Sequence, residues 1–351
     1  MKMTREQILG QRLAAQALVL PGLPSPIETV TRLGAVQAQD FGQALLAVAT
    51  RTFASTASSI EVCLNEGTLI RTHVLRPTWH LVAAVDLRWM VDLTAPRVSV
   101  AAGHGYRRFG LTSEVRAQTR RIIEKELASG CRTREELMVA IGAAGFPTES
   151  IPAAHHLMDA ELALVVCNGP RRGKEMTYDL VDRRVPSAAP VPRDEALSRL
   201  ALRYIAGHGP ATDRDFAWWS GLGLIDARRG LEASRPSLKT RQRDDETFWT
   251  TGEDQPPPKG FRWLAGFDEY LIAFTDRSAA LDPQVASRAF TSNGIFFPVV
   301  LHDGRVSGTW KRKETARAVT VTVDWFEVPP QGAEESRREW ETFLSRFRGI
   351  G

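Results

Sequence analysis

Cysteine is scarce: 351 residues carry only Cys63, Cys131 and Cys167, with no Cys-x-x-Cys and no Cys/His pair at ligand spacing. An odd, scattered set excludes a disulfide framework and a structural zinc site, and the three read as buried thiols. No run of eighteen apolar residues exists, and Met1-Lys2-Met3-Thr4-Arg5-Glu6 leads into helix-forming sequence without an apolar leader. Neither a membrane span nor a signal peptide is expected, and a cytoplasmic protein is. Also missing are Gly-x-x-x-x-Gly-Lys, Gly-x-Gly-x-x-Gly, Gly-x-Ser-x-Gly and His-Glu-x-x-His. A phosphate-cradling loop, a serine nucleophile and a zinc-protease helix thus have no support, and no nucleotide cofactor or metal is expected. Lysine is the last scarcity: of 45 basic residues seven are lysine and 38 arginine. Arginine suits phosphate because its planar fork bonds two oxygens at once, although a GC-rich coding bias produces the same excess.

What is present is ordinary globular material, 43% apolar and 25% charged, with a net charge of +4. The length is large for one core and predicts two or three domains. Two stretches share a pattern. A helical run over 114–128 is followed by Gly130-Cys131-Arg132-Thr133-Arg134-Glu135-Glu136-Leu137, and a run over 194–206 by Gly209-Pro210-Ala211-Thr212-Asp213-Arg214-Asp215-Phe216. Each reads Gly-x-x-Thr-x-x-acid-apolar, in which the Gly ends one helix and the Thr with its acid forms a capping box for the next. Third helices over 149–162 and 225–234 follow. After the first, strand signals at 164–167 and 176–180 flank a basic hairpin tip that includes Arg171, Arg172 and Lys174. Three helices and a hairpin make the layout of a winged helix.

The first hundred residues read as a more decorated copy, with helices over 4–18, 27–36 and 41–50 and a late strand at 78–82. Beyond Pro256-Pro257-Pro258 the pattern is β-rich, at 263–274, 296–302, 306–310 and 319–323, with a closing helix over 334–347. Asp303-Gly304 marks a type I′ turn there. The expected fold class is α+β: three tandem winged helix-turn-helix units at 1–110, 111–190 and 191–255, then a small antiparallel β-subdomain at 256–351.

Gln37-Ala38-Gln39-Asp40 is the candidate for chemistry. Ile27, Val30 and Leu33 follow helical spacing, so a helix continued past Val36 would set Gln37 and Gln39 about 200° apart. If the helix stops near Val36 and the backbone extends, the two amides share a face, and Asp40 caps the next helix with Gln43 at its third position. Amides cannot serve as general bases at neutral pH, but they can fix a water against an electrophile. Hydrogen bonding to helix ends is the competing role for both glutamines.

A second polar cluster comprises Arg71, His73, Arg76 and His80, around a β-like stretch, read as phosphate or base contacts or as satisfied strand polars. A third is Arg305, Lys311, Arg312 and Lys313, beside Trp310, read as surface charge or as a hairpin arm entering a nucleic-acid groove.

Gln37-Ala38-Gln39 after a helix, Arg71 to His80, the repeated helical units and Gly304 to Trp310 together resemble the AlkZ/YcaQ superfamily of winged-helix DNA glycosylases. The resemblance covers essentially the whole chain. It implies that Gln37 and Gln39 are the catalytic pair and that the winged helices form a C-shaped DNA cradle with a hairpin reaching the duplex. Gln-aliphatic-Gln is similar to the branch that unhooks interstrand crosslinks, whereas the other branch carries Gln-aliphatic-Asp. His73 and Pro77 stand where the family commonly shows Trp and Gly. The implied activity is monofunctional hydrolysis of the N-glycosidic bond of N7-alkylated purines, without a metal or a covalent lysine, in repair and self-resistance to a genotoxin. The expected partner is double-stranded DNA bearing alkylated purines or crosslinks, bound by a monomer. The rival expectation is a winged-helix transcription regulator reading bases through Asp226, Arg228, Arg229 and Glu232.

Overall fold

Side-chain caps punctuate this chain, whose computed structural model describes residues 3–350 apart from 20, 244 and 253. Thr4 opens α1 (Arg5–Ala15) with a complete capping box to Gln7. Ser25, followed by Pro26 as first helical residue, opens α2 (Pro26–Leu33). Then come β1 (Val36–Gln37), α3 (Phe41–Ala49), α4 (Ala57–Glu66) and the antiparallel pair β2 (Leu69–His73) and β3 (Trp79–Ala83).

The next helix, α5 (Ala84–Arg108), was not legible as one, since Pro96, Gly103 and Gly105 interrupt its local preference. Its buried stripe of Leu87, Val91, Thr94, Val98, Ala102 and Tyr106 holds it at helical spacing regardless. α6 (Ser113–Leu127), β4 (Arg132–Thr133), α7 (Arg134–Ala143), α8 (Ser150–Leu162), β5 (Val166–Asn168) and β6 (Thr177–Leu180) follow. Their strands form an antiparallel sheet of order β4-β6-β5, and Ile123, Leu127, Leu137, Ile141, Leu157 and Val166 pack beneath it. After α9 (Val181–Arg184), the order recurs in α10 (Arg193–His208), α11 (Asp213–Ser220), α12 (Leu224–Ala233) and the hairpin β7 (Lys239–Arg243) and β8 (Glu246–Thr250). Both expected capping boxes close: Thr133 with Glu136 and Thr212 with Asp215 each exchange two hydrogen bonds.

The C-terminal part holds β9 (Phe261–Leu264), α13 (Glu269–Ile272), α14 (Ala286–Ala289), β10 (Val299–His302), β11 (Arg305–Glu314), β12 (Val319–Trp325) and α15 (Ala333–Phe347). The sheet is antiparallel in the order β12-β11-β10-β9, with Trp340 of α15 against Trp263 and Trp310. Asp303 (φ 49°) and Gly304 (φ 79°) form the left-handed pair expected of the β10–β11 turn. The strand expected over 263–274 stops at Leu264, because Phe267 (φ 56°) turns the chain and Asp268 caps α13.

The fold is thus mixed α and β with small antiparallel sheets. It divides into two compact units: Met1–Glu61 with Leu197–Trp219 and Gly223–Gly351, and Val62–Ala196 with Ser220–Leu222. Among the described residues no helix is long and apolar enough to cross a membrane.

Candidate active site

The break on which the glutamine pair depends is present, three residues earlier than expected. α2 ends at Leu33 with Gly34 (φ 78°) as its C-cap, where a Cβ would come within 2.9 Å of Arg203 Cγ and 3.2 Å of Trp219 Cη2. Close approach and the left-handed turn together require glycine there. Past it the backbone extends. Val36 and Ala38 are fully buried, Gln37 is half-buried and Gln39 exposed, so the alternation puts both amides on the solvent side of the segment.

Buried charge lies beneath it. The Gln37 N–H donates to Glu269 Oε1 at 3.0 Å, and Trp219 Nε1 donates to Glu269 Oε2 at 3.0 Å. His208 Nε2 faces the same Oε2 at 3.4 Å. Next along the chain, Asp268 is clamped by Arg51: Nη1 to Oδ2 at 2.9 Å and Nη2 to Oδ1 at 2.7 Å. Arg51 donates further to the Gln16 carbonyl, to Gln16 Oε1 and to the Ala47 carbonyl. Arg51, Asp268, His208 and Glu269 are each at most 2% exposed. Sequence reading missed this layer, although Asp268-Glu269 inside the apolar run from Trp263 to Phe274 was the available signal: adjacent acids in a buried segment need partners.

Asp40 caps α3 as expected, its Oδ1 accepting the Gln43 N–H at 3.1 Å. The reciprocal half of the box is not made, because Gln43 Oε1 accepts from the Gly266 N–H at 2.7 Å instead. Asp40→Ala should therefore cost about 1 kcal/mol of unfolding free energy, with Asp40→Asn recovering most of it in denaturant melts. Arg312 also belongs here. Burial and the nearby Arg348 guanidinium push its pKa below the ordinary arginine value, while Asp40 opposes the shift.

The other candidates separate. In the second cluster, read as phosphate or base contacts or as satisfied strand polars, His73 and His80 are buried. His73 Nδ1 makes a very short contact with the buried Glu161, whose Oε1 also takes the Trp79 indole N–H. Burial holds His80 well below the ordinary imidazole pKa, with Arg76 and His73 adding to the effect, so its neutral form is favoured. Arg71 lies half-buried over the Trp79 ring at 4.4 Å, and Arg76 is half-buried. At the β5–β6 tip Arg172 and Lys174 are exposed and Arg171 half-buried, but Arg172 is paired with Glu136 at 2.7 Å.

The third cluster lies at two ends of β11. The Asp303-Gly304 turn, with Arg305 beside it, packs on Leu9 and Pro258 and is tied by Tyr270 Oη to the Gly304 carbonyl at 2.8 Å. It is no arm. Lys311 and Lys313 are exposed towards the opposite end, with Arg317 in the β11–β12 turn, while Arg312 is half-buried and paired with Glu314 at 2.8 Å. Trp310 is 2% exposed and its Nε1 donates to the Leu264 carbonyl, so its ring belongs to the core rather than to a groove-facing surface. Among the described residues no group of three or more His, Cys, Asp or Glu side chains could hold a metal ion.

A family model described as DNA glycosylase AlkZ-like matches residues 30–347. An interstrand DNA cross-link repair glycosylase of Streptomyces sahachiroi is 28% identical over 357 residues, a match spanning 95% of this chain and 95% of the relative. The solved structure of the Streptomyces sahachiroi DNA glycosylase AlkZ is similar over 100% of this chain and 98% of its own, with a TM-score of 0.84 at 25% identity.

Proposed function

This chain belongs to the DNA glycosylase AlkZ-like family and is a DNA glycosylase, and from that premise we propose that it hydrolyses the N-glycosidic bond of N7-alkylated purines, in monoadducts and in interstrand crosslinks, acting as a monomer with Gln37 and Gln39 as its catalytic pair. The observation that carries this reading is the extended segment after Gly34, which turns both amides to one side with Val36 and Ala38 buried on the other. An N7-alkylated purine is cationic and leaves with little help from a general acid. Positive charge then gathers on the sugar, where neutral amide oxygens stabilise it and hold a water in line without trapping the product. The two helix-rich runs at 111–190 and 191–255, each with its hairpin, read as winged helices that grip the duplex. A sequence-reading regulator has no use for paired amides, and on α12 Arg228 is engaged by Asp213 and Glu232 by Arg235.

The test is incubation of the purified chain with N7-methylguanine duplex and with an N7-crosslinked duplex, followed by chromatography for released base. Release from neither substrate sinks the proposal. A crosslinked base stays tied to the other strand, so grip should come from phosphate contacts rather than from a closed pocket. The exposed cations of the β11–β12 arm, Lys311, Lys313 and Arg317, are proposed to supply part of it. Replacing all three with alanine should make the slope of log affinity against log salt shallower by as much as about 3, at roughly 0.9 for each phosphate that is no longer neutralised. Anisotropy titrations across salt concentrations measure this, and an unchanged slope removes the arm from the interface.

A further inference from the structure

We infer that Glu269 is a positioning residue for the glutamine pair and that it presents a buried carboxylate beneath Gln37; the inference rests on the glutamine-pair reading above. β1 has two residues. The Gln37 N–H is held from α13, 232 residues further along the chain, by Glu269 Oε1 at 3.0 Å. The other carboxylate oxygen is held in turn by Trp219 Nε1 at 3.0 Å.

His208 packs behind the carboxylate. Its Nδ1 lies 3.2 Å from the Tyr204 carbonyl oxygen, and its Nε2 stands 3.4 Å from Glu269 Oε2. The ring lies stacked on Tyr204 at 4.9 Å and tilted against Trp219 at 5.3 Å. Glu269 thus takes two N–H donors, from the Gln37 backbone and the Trp219 indole, with the imidazole on its far side.

A buried carboxylate adds little net stability, because its desolvation offsets the hydrogen bonds it gains. What it supplies is direction. It fixes the backbone from which the Gln37 amide projects, and in a low dielectric its negative charge favours positive charge developing on a sugar held at the pair. The neighbouring buried pair, Arg51–Asp268, is engaged by Gln16, the Ala47 carbonyl and the Tyr270 N–H. Glu269 instead accepts a hydrogen bond from the motif.

The test uses the full chain with Glu269→Gln, which keeps size but replaces one acceptor by a donor. Three quantities are measured: single-turnover release from N7-methylguanine duplex, affinity for undamaged duplex, and relative affinity for duplexes holding a cationic pyrrolidine or a neutral tetrahydrofuran abasic analogue. Release should fall by about 30-fold while undamaged-duplex affinity stays within about twofold, and the preference for the cationic analogue should fall by about tenfold. Unchanged release overturns the inference, and so does a loss that tracks duplex affinity with the cationic preference intact. If Glu269→Gln does not fold, Trp219→Phe removes one donor to the carboxylate and should slow release by about fivefold at unchanged duplex affinity; no change there also overturns it. Full release by Gln37→Ala and Gln39→Ala would sink the pair reading itself, whereas their loss beside an active Glu269→Gln sinks only the role of Glu269.

Discussion

Gln39→Ala lowers single-turnover release of N7-methylguanine by about 10²-fold, and Gln37→Ala by a similar factor, while affinity for undamaged duplex stays within about twofold. Release measured by chromatography of the freed base, and affinity by anisotropy, check both halves of this expectation. The size follows from what the amides do. They position a water and meet a developing cation, interactions made more strongly in the transition state than in the ground state, so rate falls and grip is kept. Gln39 is exposed on the segment and carries none of its packing, whereas at Gln37 the backbone N–H bond to Glu269 survives truncation of the side chain. Neither substitution should lower the melting midpoint appreciably. The double variant should lose little more than either single one, because two amides that share one water act as a unit. Unimpaired release in both single variants removes the catalytic assignment.

Arg51→Lys is expected to destabilise the chain by about 3–5 kcal/mol, a drop in thermal midpoint on the order of 5–10 °C. All five guanidinium N–H groups have partners: two carboxylate oxygens of Asp268, the carbonyl and side-chain oxygens of Gln16, and the Ala47 carbonyl at the last turn of α3. An ammonium has three donors on a point and cannot reproduce that fork, so at least two of the five buried acceptors would lose this donor. Differential scanning calorimetry reads the shift. Release assayed well below the new midpoint separates this effect from a chemical one, since the substitution acts on the platform under the site and should leave turnover of the folded fraction within a few-fold. A midpoint lowered by less than about 2 °C would show that the clamp contributes little.

Local chemistry was legible and long-range contact was not. Thr133 with Glu136 and Thr212 with Asp215 are three apart in sequence, and their capping boxes are present as read. The break between α2 and α3 was likewise inferred from helical phase and from Asp40. Its position slipped by three residues because Ala35 and Val36 look as helical as they look extended, and what ends the helix is the approach of Arg203 and Trp219 to Gly34. The Gln43 half of the Asp40 box failed for the same kind of reason, since Gly266 competes for that amide. α5 was hidden by Pro96 and its glycines, which local preference counts against a helix and tertiary packing overrides. At the site, the glutamines showed themselves as polar residues where apolar ones were expected. Glu269 reaches them from 232 residues away, and no spacing rule spans that distance.

β11 is held at both ends. The strand is clamped at one end, where the Gly304 turn sits on Leu9 and Pro258 under the Tyr270 hydroxyl, and it runs ten residues to a cationic tip. Near that tip Glu314 pairs with both Arg312 and Arg348, so the far end is braced as well. A beam fixed in this way cannot flex to suit what it meets: its reach is the number of residues multiplied by a strand rise of about 3.3 Å. That reach is adjustable only in two-residue steps if the inner and outer faces of the strand are to be kept.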